Sequence, residues 1–183
     1  LHPKSMVGSV AYLQEEEKKI FWESKEDPPP KRLDGVGAQQ VGLHYLTSNE
    51  GHPYLFYPKL KDLGGSYVGV GSEQSYLFID WQKPRFAWIS DYDPWIKQIH
   101  QLYHLFFLHA KTPEEFLTLW QPSQIQQVQH LIHQAYPLPQ QRALLLGRYK
   151  RARNKILLRL QLIKNKMKEK KIPSFLTNQN SYL

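Results

Sequence analysis

A glycine turn between a short strand and a helix constrains the fold of this chain more than any other feature. Residues 66–70 have the composition of a strand, and Gly69-Val70-Gly71 forms the turn at its end. Residues 72–81 carry apolar side chains suited to one face of a helix. A second apolar run, at 85–90, suits a strand buried on both faces and ends at Asp91, twenty residues after Gly71. This order predicts a βαβ unit with two parallel strands.

The glycine turn is a candidate site for a nucleotide-type ligand. Gly69 and Gly71 would let the backbone approach a ligand closely, and the N-terminus of the following helix would face its polar groups. Asp91, at the end of the second strand, is spaced to accept hydrogen bonds from ribose hydroxyls. Asp93 is a second candidate for the same role.

The first two residues of the helix narrow the choice of ligand. Glu73 and Gln74 complete the candidate cofactor-binding set, and they would crowd or repel a pyrophosphate. A dinucleotide-binding turn has glycine at position 74, and a methyltransferase turn has an acidic residue at the position of Tyr67. The pattern favours a phosphate-free nucleoside such as S-adenosylmethionine (AdoMet) over NAD. A tight turn that binds nothing is the alternative.

Four stretches of the chain carry a family resemblance. They are GGSYVGVGSEQSY at 64–76, KPRFAWISDYD at 83–93, LTSNE at 46–50 and SFLT at 174–177. They resemble a bacterial family with a class I AdoMet-dependent methyltransferase-like fold, most strongly over residues 43–120, although Ser75 replaces the family's asparagine. The resemblance implies a Rossmann-like core with further strands and AdoMet as the cofactor. It implies no particular reaction.

The predicted fold class is α/β, with a Rossmann-like methyltransferase-type core and a large helical insertion or extension. We expect an extended N-terminal arm over 1–40, which includes a short charged helix at 15–19 and a proline run at 28–30. The βαβ unit occupies 41–111, and a helical segment ending in a long basic helix occupies 112–183. Because a two-stranded parallel sheet is not stable alone, we expect a missing C-terminal segment or a partner chain to complete it.

Positive charge is concentrated in one part of the chain. The net charge is +8, but the segment Arg142–Lys171 carries +11 and the remainder carries −3. Nucleic-acid binding through this segment is one interpretation. Packing against the chain's own helices is the favoured one, because an apolar stripe at helical spacing runs through it: Leu145, Tyr149, Ala152, Ile156, Leu160, Ile163 and Met167.

Other polar residues have two interpretations each. Asn49 and Glu50 suit capping of the next helix, but Glu50 could also line a pocket with Glu73 and Asp91. The histidine pairs 100/104 and 130/133 lack acidic partners in register, so we predict interfacial polar residues and no metal site.

Composition and motifs limit the functions that remain. The chain has no cysteine, which excludes disulfides, thiolate metal sites and a cysteine nucleophile. Hydrolase, Walker-loop and HExxH motifs are absent. Two functions stay open. The chain is either a methyltransferase of unassigned substrate or a non-catalytic binding or surface-interaction protein on the same fold. No apolar run is long enough for a membrane span, and a soluble, cytoplasmic protein is favoured over an exported one.

Overall fold

The computed structural model describes residues 14–23, 25, 28 and 43–178. In chain order the elements are α1 (Glu15–Glu23), a 3₁₀ turn (Pro53–Phe56), α2 (Tyr57–Leu60), β1 (Ser66–Val70), α3 (Glu73–Gln82), β2 (Phe86–Ser90), α4 (Pro94–His109), α5 (Pro113–Leu119), a 3₁₀ turn (Pro122–Gln124), α6 (Ile125–Ala135) and α7 (Pro139–Lys170). The short charged helix expected in the N-terminal arm is α1. The rest of the predicted arm, including its proline run at 28–30, lies almost entirely outside the described residues.

The described residues form a mixed α/β structure that is mostly helical and contains a small two-stranded sheet. As predicted, β1 and β2 are parallel and α3 connects them, with Ser66 beside Phe86 and Val70 beside Ser90. The expectation that β2 is buried on both faces is wrong. Its side chains are only partly buried, and on β1 the side chains of Val68 and Val70 are 75% and 73% exposed.

The exposure of β1 has a simple cause within the described part of the chain. Strand side chains alternate between the two faces of a sheet, and α3 packs against β1. The face with Tyr67 and Gly69 is partly buried, and the face with Val68 and Val70 is exposed. That further strands complete the sheet remains a prediction.

Helices α4 to α7 supply most of the hydrophobic core. The predicted apolar stripe of α7 is fully buried, and α7 contacts α4, α5 and α6. Packing against the chain's own helices, the favoured interpretation of this stripe, is therefore confirmed. Large aromatic rings pack where these helices meet, among them Tyr103, Phe106, Trp120 and Tyr149. One buried cluster joins these helices to Leu77 and Trp81 of α3.

Side-chain caps fix where two of these helices begin. Asp93 accepts a hydrogen bond from the backbone N–H of Trp95 at the start of α4. Thr112, which precedes Pro113, accepts one from the N–H of Glu115 at the start of α5. The Glu115 carboxylate accepts a hydrogen bond from the N–H of Lys111. In a capping box it would accept from the N–H of Thr112, the next residue.

The segment after α7 returns to α3. Lys171 has a left-handed conformation that ends the helix, and the indole Nε1 of Trp81 donates to the carbonyl oxygen of Pro173 over 2.7 Å. The N–H of Phe175 donates to the buried carboxylate of Asp80, also over 2.7 Å. Burial raises the pKa of Asp80. The Ser174–Thr177 segment is thereby fixed beneath the helix that follows the glycine turn.

Within the described ranges, no helix combines the length and apolarity that crossing a bilayer requires.

Candidate functional site

A cavity of about 440 Å³ lies at the carboxyl ends of the two parallel strands. Ligand sites of α/β sheets form at this edge, because loops and helix N-termini converge there. Three parts of the chain line it: the segment before α2, the turn between β1 and α3, and the end of β2. The lining residues are Tyr45, Thr47, Ser48, Asn49, Glu50, Tyr67, Val70, Gly71, Ser72, Gln74, Ser75, Phe78 and Asp91.

Gly71 forms the turn at the floor of the cavity. Its φ of +92° lies in the region that L-residues rarely adopt, while a β-carbon at this position would meet no atom within 4 Å. Glycine is therefore required for the backbone conformation and not for lack of space. The open space above Gly71 is available for close approach of a ligand.

His100 of α4 supports this turn from the side of the core. Its Nε2 lies 2.7 Å from the carbonyl oxygen of Gly71, and its Nδ1 lies 2.7 Å from the hydroxyl oxygen of Tyr76. Burial lowers the pKa of His100 and raises the pKa of Tyr76. The consistent arrangement is a neutral imidazole whose Nε2–H donates to Gly71 and whose Nδ1 accepts from Tyr76.

Gly69 does not line the cavity, because the ring of Tyr67 covers it. A β-carbon on Gly69 would overlap that ring, so glycine is what allows Tyr67 to lie across the strand. Burial raises the pKa of Tyr67, and the side chain of Ser75 on α3 offsets part of this rise. An aromatic ring thus occupies the position where a methyltransferase turn carries an acid.

The two aspartates after β2 are placed differently. Asp91 lines the cavity, and its Oδ1 accepts a hydrogen bond of 2.9 Å from the N–H of Asp93. Both carboxylate oxygens of Asp93 have partners outside the cavity lining, the N–H of Trp95 and the imidazole of His44. Of the two candidates, Asp91 is the one that lines the cavity.

Glu73 points away from the cavity into the protein. Its side chain is fully buried and accepts four hydrogen bonds: two from the N–H of Ser48, one from the hydroxyl of Ser72 and one from Nε of Arg159. The interpretation that Glu73 lines one pocket with Glu50 and Asp91 therefore holds only for the latter two. Buried carboxylates require such partners.

Gln74 lines the cavity and also holds the segment before α2. Its Oε1 accepts a hydrogen bond from the hydroxyl of Ser48. The interpretation that Asn49 and Glu50 cap the next helix is wrong, because the cap position before Pro53–Phe56 is His52 and makes no side-chain hydrogen bond. Asn49 and Glu50 line the cavity instead.

The cavity is acidic although the chain is basic. Its lining includes two acidic residues, Glu50 and Asp91, and no Lys, Arg or His among the described residues. Tyr45, Tyr67 and Phe78 add aromatic surface. This arrangement suits a neutral or positively charged ligand with a flat ring and disfavours phosphate groups. No group of three or more potential metal ligands occurs in the described part of the chain.

A family model described as "Domain of unknown function (DUF7790)" matches residues 45–183. The chain belongs to this family. The DUF7790 match includes every residue that lines the cavity, together with α7. No curated protein matches the sequence.

Two residues that shape the DUF7790 site are not among those that the sequence predicts for it. The sequence predicts His100 only as an interfacial polar residue, and nothing in its spacing indicates the bond to Gly71. Arg159 belongs to the basic segment Arg142–Lys171, whose charge pattern does not distinguish it, although it binds Glu73, 86 positions earlier. The burial of Glu73, which requires such partners, is not visible in the sequence.

Proposed function

We propose that this DUF7790 domain binds a nucleoside-type small molecule in the cavity above Gly71, with AdoMet as the first candidate. The observation that carries the proposal is that Gly71 and Asp91 line one cavity at the carboxyl ends of β1 and β2. In Rossmann-like proteins this is where a ligand meets the glycine turn and where an acid holds the ribose. The same residues carry the resemblance to methyltransferase-like proteins.

The charge of the cavity supports a ligand without phosphates. Glu50 and Asp91 would repel a pyrophosphate, and no cation among the lining residues would offset that repulsion. AdoMet has no phosphate and carries a sulfonium cation. Its size is also compatible with a cavity of about 440 Å³.

The roles of individual residues follow from their positions. The Asp91 oxygen that does not bind Asp93 is the acceptor for ribose hydroxyls, and Gly71 allows the ligand to approach the backbone. If methyl transfer occurs, the domain would act mainly by holding the methyl group in line with a nucleophile. No residue is assigned to the chemical step.

A non-catalytic binding protein on the same fold is the second candidate. The specific observation in its favour is Tyr67, whose ring covers Gly69 and which stands at the position where a methyltransferase turn carries an acidic side chain. Such a protein would bind the nucleoside and transfer nothing. Ligand binding tests the site for both candidates, and methyl transfer separates them.

Isothermal titration calorimetry tests the binding site. AdoMet and its product S-adenosylhomocysteine should bind at micromolar concentrations, and NAD should not. Asp91→Asn retains an oxygen for the N–H of Asp93 but loses the charge, and it should weaken binding by about tenfold or more. Glu114→Gln is the matched control, because this exposed carboxylate is outside the cavity lining. Absence of heat with the folded wild-type chain would rule out the proposal.

A further inference from the structure

Four residues, Thr47–Glu50, form one side of the cavity and are here called the cavity wall. The wall has no regular secondary structure of its own. Ser48 is held by α3: its N–H donates to both oxygens of Glu73 over 3.1 and 3.0 Å, and its hydroxyl donates to Gln74 over 2.5 Å. The hydroxyl of Ser48 also accepts from the N–H of Glu50.

A single arginine of α7 reaches both the wall and its support. Nη2 of Arg159 donates to the carbonyl oxygen of Glu50 over 2.7 Å, and Nε of the same guanidinium donates to Glu73 over 2.8 Å. The planar guanidinium presents these donors in a fixed relative geometry. Arg159 therefore sets the distance between the end of the wall and the carboxylate that holds Ser48.

Burial makes these contacts depend on one another. The Glu73 side chain is fully buried and that of Arg159 is 17% exposed, so the ion pair has little contact with water. Without Arg159, the carboxylate would be a buried charge with only neutral donors, and it would draw water or move. Either response changes the acceptor of the Ser48 N–H and hence the position of the wall.

We propose that Arg159 and Glu73 are positioning residues for the ligand: they fix the wall in the conformation that the ligand contacts, without themselves lining the cavity. The inference rests on the proposed function for the identity of the ligand, but the fixing of the wall is a property of the unliganded protein. Helix α7 thereby controls the shape of a site to which it contributes no lining residue.

Binding and the ion pair are then coupled in both directions. A ligand that contacts Asn49 and Glu50 favours the wall conformation that the ion pair also favours. By thermodynamic linkage, loss of the ion pair weakens ligand binding by the factor by which the ligand strengthens the wall contacts.

Amide hydrogen exchange, read residue by residue, measures the wall directly. In the unliganded wild type the N–H groups of Ser48 and Glu50 should exchange slowly, because both are donors. Arg159→Met should speed both by about tenfold or more. Arg159→Lys keeps the charge but not the paired donors, so it should give an intermediate rate. Lys164→Met is the control on the same helix, since Lys164 binds Glu114, which is outside the lining, and it should leave both rates unchanged.

Affinity for AdoMet provides the second measurement. Binding should weaken about tenfold in Arg159→Met, less in Arg159→Lys and not in Lys164→Met. Fast exchange of Ser48 in the wild type, or unchanged exchange in both Arg159 variants, would overturn the inference. If Arg159→Met does not fold, the lysine variant and the wild-type rates still decide.

The two proposals fail in different ways. Protected wall amides that depend on Arg159, with no binding of AdoMet or S-adenosylhomocysteine, would support the wall inference and remove the proposed ligand. Ligand binding that does not depend on Arg159 would support the proposed function and remove the positioning role.

Discussion

The Nε2 of His100 lies 2.7 Å from the carbonyl oxygen of Gly71, so a helix that begins after β2 fixes the turn that ends β1. The same imidazole accepts from Tyr76 on α3. One neutral side chain therefore connects α4, the turn at Gly71 and α3. Protonation would place a donor against the Tyr76 hydroxyl and a charge in the core.

This arrangement predicts how stability changes with pH. Burial holds the pKa of His100 below its usual value of 6.5, so below that pH the unfolded chain binds a proton that the folded chain does not. The contribution is fully present above pH 6.5 and is lost as the pH falls from there towards the lowered pKa. Urea unfolding at pH 7.5 and 5.0 should show a smaller loss in His100→Gln than in the wild type. Equal losses in both proteins would contradict the prediction.

Gly71→Ala should destabilise the fold by about 1–2 kcal/mol, because alanine at a φ of +92° is strained even though nothing obstructs its side chain. Gly147→Ala is the matched change. Gly147 lies within α7, and its β-carbon would meet no atom within 4 Å, so alanine should stabilise by about 0.5–1 kcal/mol. Thermal unfolding of the two variants should therefore move in opposite directions.

Glu73→Ala and Glu114→Ala compare a buried ion pair with an exposed one. Removing Glu73 leaves Arg159 facing a buried gap and the N–H of Ser48 without its acceptor, at a cost of about 3–5 kcal/mol. The side chain of Glu114 is 71% exposed where it binds Lys164, so its loss should cost less than about 1 kcal/mol. Chemical denaturation measures both. If the two substitutions lowered the free energy of unfolding by similar amounts, the buried Glu73 pair would contribute no more to stability than the exposed Glu114 pair.

Phe175→Ala should destabilise by about 3–5 kcal/mol, because the ring is buried against Phe107 and Phe116. Phe56→Ala provides the exposed comparison: this ring is half-exposed beside Phe78 and should cost less than about 1 kcal/mol. A small effect at Phe175 would mean that the segment after α7 does not form part of the core in solution.

Local patterns predicted the elements well because each is specified by neighbours in sequence. The spacing of apolar residues predicted the buried stripe of α7, and the charged run at 15–19 predicted the short helix α1. The glycine turn and the parallel strands followed from one short stretch. These signals lie within a few residues of the structure that they specify.

The site was predicted only in part because its remaining geometry depends on contacts between distant residues. The spacing from Gly71 to Asp91 placed both at one cavity. It could not show that Glu73 turns inward towards Arg159. Nor could it show that the Asp93 carboxylate caps α4 and binds His44. The exposure of Val68 likewise depends on what covers the sheet, which strand composition does not reveal.

The basic helix α7 has a consequence for any experiment that neutralises its charge. Several of its cations have partners within the chain: Arg148 binds Gln98 and lies over the ring of Trp95, Lys164 binds Glu114, and Arg159 binds Glu73. The two ion pairs reduce the field that a polyanion would meet at this surface, whereas the neutral partners of Arg148 leave its charge in place. A charge-reversal series that includes Arg159 would confuse lost attraction with a deformed cavity, whereas the exposed residues Lys150 and Lys155 report on the surface alone.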